Sequence, residues 1–362
     1  YEKQLMKYEF MPQPKFVSIN LKADMFPKER DAYFEADALL VNKTDTPIDS
    51  IFFDGSSLTD FEVTFNGAEL PYRSLIEFEP DQFQVFGKKE RKPSYRMAAL
   101  PQTLMPGDTI ALKMKSEVIN SGFPNSGYGR ELVYNGSFIA GGIPSLGYNP
   151  DNELSSDEDR REHDLPEKPD DLPPHDDPYG RNTLLFVDDA DMISFEATVS
   201  TSPDQIAIAP GYLQREWEEN GRRYFHYIQD TPIQAFFSVL SADYEILRDK
   251  AYLGSGKEVD IEIYYQKGHE YNLNRFVESY KDGLQYFSDT YGDFQFRQMR
   301  ILEFPRYAGF AQSFPNTVPF AESFGWIADF SDPNSFDYVY FVTAHELAHQ
   351  WWAHQITPNY TR

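Results

Sequence analysis

The sequence of 362 residues contains no cysteine, which excludes a disulfide framework, a thiol nucleophile and a metal site with cysteine ligands. It also lacks any run of about eighteen apolar residues, so we expect no segment that inserts directly into a membrane. Basic residues are scarce, because 33 Lys and Arg stand against 58 Asp and Glu. The resulting net charge of −25 argues against a nucleic-acid partner, since such a field repels phosphate.

Aromatic and alternating hydrophobic residues dominate the first two thirds of the chain. Apolar and polar residues alternate along 33–41 and 193–199, which is the pattern of strands with one buried face. Asn66-Gly67 and Asn220-Gly221 follow or separate such stretches, and Asn-Gly is the preferred two-residue turn of a β-hairpin. We therefore predict a β-sandwich or saddle domain over residues 1–268.

One segment, residues 151–179, interrupts this alternation with many Asp, Glu and Pro residues. Its composition predicts a solvated surface loop. A calcium site is the alternative interpretation, although the carboxylates lack the spacing of an EF-hand loop.

The hydrophobic period changes from two to three or four near residue 270. From Leu273 onward this period predicts an amphipathic helix, with Asn272 as its N-cap. The elements predicted after it are a strand over 299–304, an aromatic loop over 309–324 and a long, buried helix over 337–356. We predict that residues 269–362 are the first part of a second, α+β domain, and that the chain is a piece of a longer polypeptide.

The last predicted helix carries His345, Glu346 and His349 in the pattern His-Glu-x-x-His. Residues four apart lie on the same face of a helix, so both imidazoles can bind one Zn²⁺. Glu346 is then placed to take a proton from zinc-bound water, which attacks a peptide carbonyl. A chance motif is the alternative, but burying two His and a Glu without a partner is costly.

Residues 343–357, which read Thr-Ala-His-Glu-Leu-Ala-His-Gln-Trp-Trp-Ala-His-Gln-Ile-Thr, resemble the zinc helix of M1-family aminopeptidases, which are gluzincins. The resemblance implies a thermolysin-like catalytic domain and one Zn²⁺ with His345 and His349 as ligands and Glu346 as general base. It also implies a third ligand, a Glu about nineteen residues after the second His, beyond Arg362. The family's intermediate-stabilising Tyr is expected further on, so this segment alone is expected to be inactive.

The family's substrate loop reads Gly-x-Met-Glu-Asn, and its Glu pairs with the free α-amine of the substrate. The corresponding stretch here is residues 310–314, in which Ser313 takes the position of that Glu. A neutral Ser lacks the charge-assisted hydrogen bond, worth about 1.5–3 kcal/mol. Gln312 and Glu322 are candidates to compensate as substrate-binding residues, and the choice between exopeptidase and endopeptidase action stays open.

A finer resemblance concerns residues 135–139 and 143–148, which are similar to bacterial proteins that fuse ABC-2-type permease helices to an M1-like peptidase. It implies a soluble module tethered to a membrane, whereas without the fusion the protein is cytoplasmic or exported. The leading function is zinc-dependent hydrolysis of peptide bonds. The alternative, motivated by the missing Glu, is a non-catalytic peptide-binding or regulatory module of a transporter. His226 and His269 are predicted to be structural, and His354 is predicted to make a polar contact without binding the metal.

Overall fold

The computed structural model describes residues 1–76, 94–120, 131–168, 172–332 and 334–362. The strands are β1 (Lys15–Phe26), β2 (Asp31–Val41), β3 (Ile48–Asp54), β4 (Asp60–Phe65), β5 (Ala68–Glu69), β6 (Tyr72–Ser74), β7 (Tyr95–Leu104), β8 (Thr109–Ile119), β9 (Ser137–Ala140), β10 (Ser145–Leu146), β11 (Ala190–Thr201), β12 (Ile206–Ile208), β13 (Tyr212–Glu219), β14 (Arg222–Ile228), β15 (Ser238–Ala242), β16 (Tyr244–Tyr252), β17 (Glu258–Gln266), β18 (Gln298–Phe304) and β19 (Thr317–Ala321). The helices are α1 (Glu2–Leu5), α2 (Asp157–Glu162), α3 (Pro178–Arg181), α4 (Leu273–Tyr291) and α5 (Tyr338–Ala348), with a π-helix over Glu322–Trp326.

The first part of the chain is built from β-sheets. The largest has eight strands in the order β13-β14-β11-β1-β2-β8-β4-β5, and β1 and β11 are its parallel pair. Two smaller sheets have the orders β10-β3-β7-β6 and β12-β15-β9. Both predicted hairpins are confirmed, because Asn66-Gly67 joins β4 to β5 and Asn220-Gly221 joins β13 to β14 with positive φ at all four residues.

A fourth sheet, of order β16-β17-β18-β19, follows, and in it β17, β18 and β19 run parallel. Helices α4 and α5 pack against each other beside it. The backbones approach closely at Gly283 of α4, where an added Cβ would lie 2.7 Å from Leu347 Cδ2. A mainly β part followed by an α+β part confirms the predicted fold class. The boundary at 268/269 stays a prediction, and the sheet shared by β17 and β18 runs across it.

The last helix is shorter than predicted, since α5 ends at Ala348 instead of reaching residue 356. The predicted range is apolar enough for a helix, but the chain turns after His349 so that the indole of Trp351 becomes buried. Ala353 then adopts a positive φ of 127°, which no α-helix accommodates. The helix is also less buried than predicted, because the side chain of Phe341 is exposed.

Three other local predictions need correction. The predicted loop over 309–324 contains β19 and the start of the π-helix, because all five residues of β19 are buried. The acidic segment, residues 151–179, is not a plain loop, because it contains the short helix α2, which Ser156 caps. Residues 169–171 of this segment lie outside the described residues. Asn272 lies at the start of α4 but does not cap it, since its amide donates to the carbonyl of Gly325 at 2.8 Å.

A buried arginine joins the fourth sheet to the β-region. The guanidinium of Arg300, in β18, is 1% exposed and donates to the Ala209 carbonyl at 2.9 Å. It also donates to Asn316 Oδ1 at 3.0 Å and to Thr317 Oγ1 at 2.8 Å. Among the described residues, no carboxylate forms an ion pair with it. The charge is therefore compensated by oriented dipoles, which is the condition under which a buried charge is tolerated.

A half-buried carboxylate, Asp189, lies just before β11. Asp189 Oδ2 accepts a hydrogen bond from the Leu146 amide at 3.0 Å. Burial, reinforced by the neighbouring Asp188, raises the pKa of Asp189 to about 7, although the Lys15 ammonium opposes the shift. The folded protein therefore holds a proton on Asp189 more tightly than the unfolded chain does, and the stability associated with this group is lost as pH rises through 7.

We expect Asp189→Asn to raise the free energy of unfolding at pH 8 by about 1–2 kcal/mol, because the amide carries no charge to bury. The amide oxygen still accepts from Leu146. Urea unfolding at pH 5.5 and pH 8 measures the effect. Between these two pH values the free energy of unfolding should fall less in the variant than in the wild type. Asp204→Asn, which removes an exposed carboxylate, is the control. The prediction would be contradicted if the free energy of unfolding of Asp189→Asn fell as much between the two pH values as that of the wild type.

Candidate metal centre

Helix α5 brings two imidazoles together on one face. The Asp337 carboxylate accepts from the Tyr340 amide at 3.0 Å and thereby caps the N-terminus of the helix. At the other end of the helix, His345 in its last turn and the C-cap residue His349 project side by side, and their Nε2 atoms lie 3.1 Å apart. Two nitrogens bound to one tetrahedral zinc ion lie about 3.3 Å apart, so this spacing fits a shared metal.

Both rings favour the form that binds metals. His349 Nδ1 lies 3.2 Å from the Trp352 carbonyl, which accepts its proton and leaves the lone pair on Nε2. Partial burial, assisted by the neighbouring His349, lowers the pKa of His345, so the neutral imidazole is favoured. The side chain of His345 is exposed, so the prediction that it is buried was wrong.

Glu346 occupies a different environment from the two histidines. Its side chain is 7% exposed, and burial raises its pKa, which the proximity of His349 partly offsets. Its carboxylate lies near the buried Tyr280 of α4, whose own pKa is raised by burial and by that charge. A buried carboxylate with a raised pKa is a stronger base than a solvated one, and this suits proton transfer.

The part of the chain that the structure describes supplies no third His or carboxylate that clusters with the two imidazoles. The nearby aspartates serve other purposes. Asp329 and Asp332 accept from amides of their own loop, at Ser331 and Asn334. Asp337 caps α5 and pairs with Arg275. Two imidazoles and one adjacent carboxylate thus form the candidate centre.

The predicted substrate loop lies against this helix. Residues 310–314 run antiparallel to β19, where the Gln312 amide donates to the Pro319 carbonyl at 3.1 Å. Ser313 is 2% exposed, and its hydroxyl donates to the Glu346 carbonyl at 2.8 Å. The Ser313 side chain therefore faces the helix, and its hydrogen bond holds the loop beside the turn that carries the motif.

Gln350 completes this junction between the helix and the loop. Its buried amide donates to Ser313 Oγ at 2.5 Å and to the Phe314 carbonyl at 2.9 Å, and its oxygen accepts from the Asn316 amide at 2.8 Å. His354 makes the predicted polar contact, since its Nε2 donates to the Ser313 carbonyl at 3.0 Å and burial lowers its pKa to about 4. Gln350 belongs to the stretch 343–357 that resembles the zinc helix, but no role was predicted for it.

The other two candidate substrate residues lie apart from each other. Gln312 is half-buried in the edge segment, next to Ser313. Glu322 follows β19 at the opposite end, where the neighbouring Ala321 amide donates to the Phe310 carbonyl. Gln312 lies opposite Pro319, which places Glu322 about 10 Å along the strand from it. Glu322 Oε2 instead accepts from the Arg306 amide at 3.0 Å.

No protein-family model matches the chain, and no curated protein matches it. An M1 zinc metallopeptidase from Deinococcus radiodurans has a TM-score of 0.60 at 15% identity, over 98% of this chain and 69% of that one. A mutant of that enzyme bound to a Tyr-Ser-Ala substrate gives 0.60 at 14% identity, over the same shares of the two chains. Aminopeptidase A of Legionella pneumophila, in complex with aspartic acid, gives 0.61 at 15% identity, over 96% of this chain and 35% of that one.

These likenesses establish the fold. The chain shares its fold, a mainly β part followed by an α+β part, with the M1 zinc metallopeptidases named above. At 15% identity a shared fold does not establish a shared reaction, which depends on the individual side chains. No helix in the described ranges combines the length and apolar character needed to cross a bilayer.

We expect Gln350→Ala to lower the free energy of unfolding by about 2–4 kcal/mol, because it leaves the buried groups of Ser313, Phe314 and Asn316 without their partner. Chemical denaturation measures the loss. Gln355→Ala, which truncates the same type of side chain at an exposed position, is the matched control. Equal stability of the two variants would show that the junction contributes nothing.

Proposed function

We propose that this chain carries the zinc-binding helix of a metallopeptidase that hydrolyses peptide bonds, with an aminopeptidase-type site. The observation that carries the proposal is the 3.1 Å separation of the Nε2 atoms of His345 and His349 on one helix face, beside the buried Glu346. The fold shared with M1 zinc metallopeptidases supports it. In this proposal His345 and His349 are metal ligands, and a Glu near position 368 is the third.

Zinc, when bound, supplies a Lewis acid that polarises a carbonyl and acidifies water. The chain's own part is the placement and movement of protons. Glu346 accepts a proton from the attacking water, because its raised pKa makes the carboxylate basic, and returns that proton to the leaving amine. The hydrogen bond from His349 Nδ1 to the Trp352 carbonyl keeps the Nε2 lone pair available to the metal.

The edge segment of residues 310–314 offers a place for the peptide. Its bonds to β19 use alternate residues, at Phe310, Gln312 and Phe314, so the backbone N–H and C=O of Ala311 face away from the sheet. Among the described residues these two groups have no backbone partner. An extended substrate can pair with such an edge by adding a strand. Gln312 then lies next to the bound chain, while the Ser313 hydroxyl stays committed to the helix.

The finer sequence resemblance adds a partner to the proposal, namely covalently linked permease helices that tether the peptidase to a membrane. Its support is the sequence of residues 135–139 and 143–148 alone. The peptide substrate and the metal are the other partners that we propose.

A non-catalytic peptide-binding module is the second candidate. The specific observation that favours it is Ser313, whose hydroxyl is buried against the Glu346 carbonyl and offers no charge to a substrate amine. Such a module would keep the peptide-binding edge and the zinc helix without turnover. The two candidates differ in whether Glu346 is needed for a reaction.

We expect Glu346→Gln in the full-length protein to lower kcat for peptide hydrolysis by about 10²–10⁴-fold, because the amide accepts no proton. Release of amino acids from short peptides measures the rate, and the zinc content should be unchanged. Glu278→Gln, at an exposed position of α4, is the control. Wild-type protein that binds peptides but cleaves none would support the second candidate instead.

Removal of a ligand tests the metal separately from the reaction. His345→Ala and His349→Ala are each expected to remove one equivalent of tightly bound zinc from the full-length protein, because a lone imidazole holds the ion weakly. Metal analysis after dialysis measures the loss, and His163→Ala, at an exposed histidine, is the control. Retention of all zinc in both variants would contradict the assignment.

A further inference from the structure

A second group of ligand-type side chains lies at the carboxyl ends of the parallel strands. His269 follows β17, Glu303 lies near the end of β18, and Glu322 directly follows β19. Because these strands run parallel, their carboxyl ends meet at one edge of the sheet. One ligand atom from each of the three side chains lies within 4.8 Å of the other two.

The main chain orients both carboxylates. Glu303 Oε2 accepts from the Gln266 amide at 2.7 Å, and Glu322 Oε2 accepts from the Arg306 amide at 3.0 Å. The other oxygen of Glu303 lies 2.5 Å from His269 Nδ1. Carboxylates held through one oxygen by a backbone amide present the other in a fixed direction, as the ligands of metal sites do.

The charges in this group are not balanced by basic side chains. Glu303 is 1% exposed, and burial raises its pKa to about 7, with a contribution from the nearby Glu322. In the described ranges neither carboxylate forms an ion pair with Lys or Arg, and His269 is the sole basic group in contact. Two neighbouring carboxylates in a strongly acidic protein, one buried and one half-buried, are stabilised when a divalent cation binds between them.

We propose that His269, Glu303 and Glu322 bind one divalent transition-metal ion at a site separate from the His345 and His349 pair. One imidazole and two carboxylates are a donor set that Zn²⁺, Mn²⁺ and Fe²⁺ accept, whereas Ca²⁺ and Mg²⁺ prefer oxygen ligands alone. Glu322 also begins the π-helix, an element that occurs often at functional sites. This proposal does not depend on peptidase activity.

The test uses the full-length protein with His345→Ala and His349→Ala, which silences the first centre. Zn²⁺ titration by calorimetry should still give one equivalent, and Zn²⁺ should raise the Tm. Adding Glu322→Gln or His269→Ala is expected to weaken this binding by at least about tenfold. Glu322 and His269 are not fully buried, so these variants should fold, and circular dichroism checks this.

The matched control is the pair of His226 and Glu196, whose Nε2 and Oε1 lie 2.7 Å apart and for which the described residues supply no third ligand. The side chains of His226 and His269 are equally exposed, at 25%. His226→Ala in the same background should therefore leave the affinity unchanged. Absence of Zn²⁺ binding in the silenced background would overturn the proposal. Binding that survives both Glu322→Gln and His269→Ala would overturn it as well, because it would be adventitious binding to the acidic surface.

Discussion

The buried amide of Gln350 fixes the relation between the two halves of the candidate site. The imidazoles lie on a helix, and the proposed peptide-binding edge lies on a separate strand segment. One side chain bonds to Ser313, Phe314 and the Asn316 amide, and Ser313 in turn bonds to the Glu346 carbonyl. Since each of these groups is buried, a shift of the helix along the strand would break several bonds at once.

The outline of the fold was readable from the sequence wherever one residue period persisted. The period of two along β2 and β11 and the Asn-Gly turns led directly to paired strands. The end of α5 was not readable, because residues 349–356 contain no Gly or Pro that would stop a helix. What ends the helix is the burial of the Trp351 indole against residues far away in sequence, and tertiary packing of this kind leaves no periodic signal.

The candidate site was also predictable from the sequence only in part. The spacing of His345 and His349 is local, so helix geometry alone predicted their juxtaposition, which the 3.1 Å separation reproduces. The commitment of Ser313 to the helix depends on a contact between residues 33 positions apart. The group of His269, Glu303 and Glu322 joins three strand ends, and no short motif records it. For this reason His269 was predicted to be structural and Glu322 was predicted to contact the substrate.

Arg300 carries a consequence for how the chain assembles. In the native alignment its guanidinium finds hydrogen-bond acceptors, with Thr317 opposite it on β19 and the Ala209 carbonyl within reach. If β18 slid by one residue, every side chain on it would change face and this cation would be left in a dry interior without acceptors. Arg300 is therefore expected to favour the native register of β18 over shifted registers.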